Sequence, residues 1–188
     1  MGLVRNEACG RMRGTANVAR RTLLSRILAC TLTAAGVLAA PAAAQKRAPH
    51  RFNLPLARDL AADAAASARD RIPIFLFFDR YDCPYCERAL ARFVVPMAKE
   101  APWRDRALFR QVEIDQPLPV VDFTGNATTH ERLAARYGVS VTPTVAVVDG
   151  RGDVIGKPVV GLLTEDFYAA YLEQAIDAGV GKLRGAPR

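Results

Sequence analysis

Apolar and polar positions along this chain fall into blocks, and the spacing inside each block predicts an element. From Leu54 to Arg71 the sequence is alanine-rich, with spaced Leu and Asp/Arg, the recurrence of an amphipathic helix. Pro73 then opens Ile74-Phe75-Leu76-Phe77-Phe78, an unbroken apolar run of strand length that suits a strand covered on both faces. Cys83-Pro84-Tyr85-Cys86 follows almost at once, and Glu87 to Val95 returns to helical spacing until Pro96. Ala107 to Ile114 reads as a second strand. Asp115 to Ala127 contains Pro117, Pro119 and Gly125 and reads as a loop with a short extended piece at Val120 to Phe123. In Thr128-Thr129-His130-Glu131 a hydroxyl precedes a carboxylate by three residues, the spacing of a capping box, and the helix it starts is expected to end at Gly138. Thr144 to Val148 is a strand, Asp149-Gly150-Arg151-Gly152 a turn, and Val154 to Val160 the returning strand. Thr164 starts a closing helix through Asp177, with Phe167, Tyr168, Tyr171 and Leu172 on or near its apolar face. The order is helix, strand, helix, strand, helix, strand, strand, helix, with no internal repeat.

Charge changes this picture only at the N-terminus. The chain of 188 residues carries a formal net charge of +7, but residues 1–44 hold six Arg and one Glu, and the other 144 residues hold 20 basic and 18 acidic side chains. A nucleic-acid partner would need its excess charge in the folded part, so none is expected. The six arginines up to Arg26 precede an uncharged stretch, Ile27 to Ala44, whose end is Pro41-Ala42-Ala43-Ala44. Positive, then apolar, then small residues is the order of a cleavable secretory signal. Cleavage after Ala44 is expected, with export through the Sec route favoured over the twin-arginine route because no Ser or Thr precedes Arg20-Arg21. An uncleaved anchor is the alternative, since 18 uncharged residues approach the ~20 that cross a bilayer. Residues 45–53 then read as a flexible lead, 54–178 as one domain, and 179–188 as a C-terminal tail.

Of four cysteines, Cys9 and Cys30 belong to the expected signal, leaving Cys83 and Cys86. A disulfide between them would close a ring with two intervening residues, which restricts the unfolded chain little, so chemistry is a better reason for the pair than stapling. Where a strand turns into a helix, the first sulfur lies near free backbone N–H groups and the positive end of the helix dipole. Both favour thiolate, and such placement brings a cysteine pKa to ~3.5–7.5 from ~8.5. Cys83 is the expected nucleophile and Cys86, one helical turn on and less exposed, the resolving thiol. Pro84 fits the first helical position, where its missing N–H is harmless. The competing reading is a metal site, but a structural zinc wants four ligands and only His50 and His130 add to the pair. His130 in a helix cap reads as solvated, and no metal is expected.

At these residues the chain resembles the thioredoxin superfamily. Cys83-Pro84-Tyr85-Cys86 after an apolar strand, Leu133 to Val139, and Thr142-Pro143-Thr144 before the next strand occur in the family's order over roughly Leu54 to Ala178. The resemblance implies an α/β thioredoxin fold, a central mixed sheet flanked by helices with the Cys-x-x-Cys motif at a helix N-terminus. It also implies that Pro143 is cis and faces the Cys83 sulfur, and that the backbone of Thr142 pairs with an extended substrate strand. Within the superfamily the chain looks most like secreted proteins of the SoxW type. Two positions depart from ordinary thioredoxin: Asp82 stands where tryptophan usually precedes the first cysteine, and Phe77 where a buried carboxylate lies six residues before it. Asp79 and Glu87 are then candidates for proton transfer, weighed against being solvated charges.

The activity these features imply is thiol–disulfide exchange with protein dithiols and disulfides in the periplasm. It needs no diffusible cofactor, because Cys83 and Cys86 hold the redox equivalents. A membrane electron donor of the DsbD or CcdA kind is implied if the protein is a reductase. An oxidase is the second reading, disfavoured because Tyr85 carries no positive charge between the cysteines. A client-binding protein with incidental cysteines is the third. A monomer is expected, since the lead before the domain is too short for a dimerisation module.

Overall fold

A computed structural model describes residues 53–185. The expected signal, and residues 45–52 of the expected lead, lie outside these residues. Helix α1 (Leu60–Asp70) leads to β1 (Ile74–Asp79), and α2 (Pro84–Ala89) runs through a π-helical turn (Leu90–Val94) into α3 (Val95–Lys99). After a 3-10 turn come β2 (Leu108–Glu113), the hairpin β3 (Pro119–Val121) and β4 (Ala127–Thr129), then α4 (His130–Arg136), β5 (Thr144–Val148), β6 (Val159–Val160) and α5 (Glu165–Gly185).

The main sheet has the order β2-β1-β5-β6, with β1 parallel to β2 and antiparallel to β5, and β5 antiparallel to β6. It is the mixed sheet of a thioredoxin fold. All six residues of β1 are buried, as the unbroken apolar run predicts. Side chains alternate across a strand, so Phe75 and Phe77 join Ala89 of α2, Leu90 of the π-helical turn and Tyr168, Leu172 and Ile176 of α5 in one core. Ile74, Leu76 and Phe78 face a second core with Leu60, Leu133 and Val148.

Several boundaries differ from the sequence pattern for local reasons. The first helix begins at Leu60, not Leu54. Asp59 caps it by accepting the Ala62 N–H at 2.8 Å, while the preceding residues are extended and pair at Leu56 with Gln111 and at Asp59 with Val121. The helix after the cysteines does not stop at Pro96. Val95 N–H donates to Leu90 O five residues back, and this wider turn lets the helix continue through the proline to Lys99. The loop at 115–127 contains half of a hairpin. The cap hydroxyl is Thr129, which accepts the Arg132 N–H at 3.3 Å; Thr128 lies in β4 and is buried. The helix ends at Gly138 as expected, with φ +65. The returning strand is cut to Val159–Val160, with one isolated bridge at Val154, because Gly156, Lys157 and Pro158 interrupt it. Finally, α5 continues past Asp177 to Gly185 with Gly179 and Val180 buried, so residues 179–185 are helix and not a tail. On that helix Tyr168 and Leu172 are buried, whereas Phe167 and Tyr171 are exposed.

Candidate active site

The two cysteines sit where β1, the most buried strand, hands over to α2. Cys83 is extended (φ −132, ψ 92) and caps the helix: its Sγ accepts the Cys86 N–H at 3.1 Å, the place a serine or aspartate oxygen commonly takes. Pro84 opens the helix without leaving a donor unpaired. Cys83 and Cys86 are joined by a disulfide, Cα to Cα 5.2 Å. Cys86 is fully buried and Cys83 is 8% exposed, so Cys83 is the accessible sulfur only by comparison with its partner.

The loop before β5 faces the first sulfur. Thr142 Oγ1 donates to Cys83 Sγ at 3.6 Å, and the Thr142–Pro143 peptide bond is cis. Thr144 Oγ1 donates to Val141 O at 2.7 Å, and Gly161 N–H to Pro143 O at 2.7 Å, so both sides of the loop are held. The resemblance implied a role for the Thr142 backbone; that its hydroxyl reaches the sulfur is visible only in the structure.

Tyr85 stands 58% exposed on the first turn of α2. The Arg88 guanidinium lies 5.9 Å from its ring centroid. Arg88 and Arg92 both bind Glu165 at the start of α5, at 2.8 and 2.6 Å, and their hydrogen bonds, Arg88 foremost, hold the Glu165 carboxyl below its ordinary range. This clamp joins charges more than 70 residues apart, which no local pattern discloses.

Of the two carboxylates considered for proton transfer, Asp79 is not a solvated charge. It is fully buried, and its Oδ2 accepts from Gln111 Nε2 at 2.8 Å; Gln111 Oε1 in turn accepts the Leu54 N–H at 3.0 Å. The available signal was position, since Asp79 directly continues the apolar run. Glu87 is half-buried, Asp82 is exposed, and Phe77 lies in the core. His130 is likewise buried and not solvated. Its Nδ1 accepts the Glu113 N–H at 3.0 Å and its Nε2 bonds Ala57 O at 2.7 Å, so both ring nitrogens are engaged. His50 lies outside the described residues, among which no three His, Cys, Asp or Glu side chains group as metal ligands would.

Chemically, the arrangement is a dithiol pair that can be closed or open, with one sulfur at a helix cap beside a hydroxyl and the other shielded. A family model described as Thioredoxin-like domain matches residues 59–176. Among solved structures, the oxidised C-terminal domain of DsbD from Neisseria meningitidis is 24% identical, covering 64% of this chain and 98% of its own, with TM-score 0.42. The thioredoxin of Fasciola hepatica is 20% identical over 66% of this chain and 97% of its own, TM-score 0.45. The reduced periplasmic thioredoxin SoxS of Paracoccus pantotrophus is 22% identical over 56% and 97%, TM-score 0.40. Likeness at that level says nothing of what this chain acts on. No curated protein sequence matches the chain.

Proposed function

Because the chain belongs to the thioredoxin-like domain family, we propose that it is an exported thiol–disulfide oxidoreductase that reduces protein disulfides through Cys83 and Cys86. One observation carries the reading: the pair is disulfide-bonded at a helix cap, with Cys83 Sγ next to the Thr142 hydroxyl and Cys86 enclosed. In the reduced protein the Cys86 N–H and the Thr142 hydroxyl are positioned to stabilise a Cys83 thiolate. That thiolate attacks one sulfur of a client disulfide, forming a mixed disulfide and expelling the other client sulfur as a thiolate, which takes up a proton from solvent. Cys86, losing its proton, then attacks the Cys83 sulfur. The client leaves with both thiols, and two electrons have passed from the protein pair to the client. Thr142 and Pro143 would hold the client's extended backbone beside Cys83, with Pro84 and Tyr85 shaping the motif.

The finer parts of the reading are a likeness to SoxW-type secreted proteins, a periplasmic location after loss of the first 44 residues, action as a monomer without a cofactor, and renewal of the dithiol by a membrane donor of the DsbD or CcdA kind. Tyr85 between the cysteines supports reduction over oxidation, and Arg88, whose guanidinium lies 5.9 Å from the Tyr85 ring centroid, is paired with Glu165. The test is insulin reduction by the purified reduced protein, together with equilibration against glutathione or dithiothreitol. Insulin chains should precipitate, and the potential should lie on the reducing side of the strong-oxidase value of ~ −120 mV. A potential near that value would assign the protein to disulfide formation, and no exchange at all would leave it a binding protein.

A further inference from the structure

The outer edge of β6 is where the sheet departs furthest from its sequence pattern. Val154 to Val160 has strand composition, yet pairing with β5 survives only opposite Val154 and at Val159–Val160. In the order β2-β1-β5-β6 the strand is terminal, so among the described residues it is paired on one side only. Gly161 donates its N–H inward to Pro143 O. Inward and outward groups alternate along an antiparallel ladder, so Val160 turns its N–H and C=O outward.

Each face of this edge carries a cavity. On the α5 side, a groove of about 600 Å³ lies between residues 156–161 and the helix stripe Tyr168, Tyr171, Ala175 and Ala178. On the opposite face, one of about 300 Å³ lies beside Tyr137, Val139 and Val141. Pro158 and Val160 border both. The larger groove keeps apolar side chains in water, with Val160 50%, Tyr171 47% and Leu163 91% exposed.

We propose that this edge docks an extended, apolar segment of the client polypeptide as an added strand, next to the disulfide that Cys83 attacks. The inference rests on the exchange reading above. Successive side chains of a strand point to opposite faces, so a segment paired with Val160 places one side chain in the α5 groove and the next in the Tyr137 groove. A helix laid on the surface reaches only one of them. Main-chain bonds to an edge with pockets for alternate side chains are the general form of strand addition. Continuity with the site makes the occupant a client: Gly161, next to Val160, is bonded to Pro143, and Thr142 lies 3.6 Å from the Cys83 sulfur. With strands ~4.8 Å apart, the docked segment runs ~10 Å from that loop, a span of about three extended residues at ~3.3 Å each. Lys157 and Pro158 limit pairing to the end of the edge, as guarded edges do, leaving selection to the two grooves.

The test uses three synthetic disulfide peptides and the reduced full-length protein. One peptide carries Leu-Leu three residues from its disulfide, the second Ser-Ser, and the third the Leu sequence with its pairing backbone nitrogens methylated. Exchange rate constants are read by acid quench and mass spectrometry. The Leu peptide should exchange ~10-fold faster than the Ser peptide, as burial of apolar side chains requires. Backbone methylation, and separately Val160→Lys in the protein, should each bring that advantage to about twofold or less. Equal exchange of all three peptides, or an advantage that survives either change, would overturn the docking site while leaving thiol exchange intact. Absence of exchange with every peptide would overturn the exchange reading and the docking site with it.

Discussion

At the scale of single residues, the two sulfurs should be separable by mutation. Cys83→Ala removes the attacking thiol, so client disulfides should stay intact and insulin reduction should fall to background. Cys86→Ala keeps the first step and deletes the resolving thiol, so mixed disulfides should accumulate on a non-reducing gel and disappear with dithiothreitol. Equal, dithiothreitol-insensitive client capture by both variants and the wild type would sink the redox mechanism. A second residue makes a pH prediction. Burial holds the His130 pKa below its ordinary 6.5, with Arg58 pushing the same way and the Ala57 carbonyl and Asp79 opposing. Its Nδ1 accepts the Glu113 N–H, so a proton there would set donor against donor. The unfolded chain protonates this histidine near 6.5 and the folded chain only at lower pH. The stability it contributes is therefore complete above 6.5 and is lost as pH falls through the folded value. Urea midpoints should decline from pH 7.5 to pH 5.5, and His130→Gln should flatten that decline while lowering stability at pH 7.5 by about 1–3 kcal/mol. A wild-type and variant pair with parallel pH profiles would refute this role. The Cys83–Cys86 pair was legible in the sequence because chemistry and short spacing mark it, whereas Thr142 and Pro143 drew notice only through the family resemblance. His130 and Asp79 were not legible, because burial of a polar side chain is decided by what packs over it from distant segments.

Among the elements, β1, β2, β5 and α4 were legible because each is set by its own apolar spacing or cap. The pieces that were missed depend on partners. The extended run before α1 is held by Gln111 and Val121, and β6 is shortened by its own Gly156-Lys157-Pro158. The closing helix offers a quantitative contrast. A Cβ on Gly179 would meet Pro73 Cγ at 2.8 Å and Val147 Cγ1 at 2.9 Å, whereas one on Gly181 meets nothing within 4 Å. Glycine to alanine in a helix interior gains ~1 kcal/mol of propensity, while overpacking a core costs about 1–3 kcal/mol. Gly179→Ala should thus lower the urea midpoint and Gly181→Ala should raise it by the equivalent of up to ~1 kcal/mol. Both variants moving in one direction would mean that α5 does not press on Pro73 and Val147 as the structure has it.

For the whole molecule, the remaining question is where it works. The charge is asymmetric, with +5 of the +7 in residues 1–44 and the remainder of the chain nearly neutral, as the proposed export signal would have it. Intact-mass analysis of the protein from a periplasmic extract should show a chain beginning at or near Gln45, and full-length chain in the membrane fraction would establish the anchor instead. Among the described residues no helix is long and apolar enough to cross a membrane. The two cores on either face of the sheet were implied by the unbroken run of β1. Their contents were not, since they gather residues from Leu54 to Val180.

The π-helical turn at Leu90–Val94 has a consequence for reading this chain beside its relatives. A turn closed over five residues instead of four contains one residue more than the helix around it, and each residue turns an α-helix by ~100°. Everything from Val95 to Lys99 is therefore rotated relative to an uninterrupted helix starting at Cys83. Against a relative whose helix lacks this turn, an alignment that runs ungapped through the stretch would equate buried Met97 with a position on another face, and the core that Val95 and Met97 join would then look mismatched. Placing a single-residue gap within 90–94 restores the correspondence, and the same arithmetic makes deletion of one residue there a milder change than deletion of one residue elsewhere in the helix.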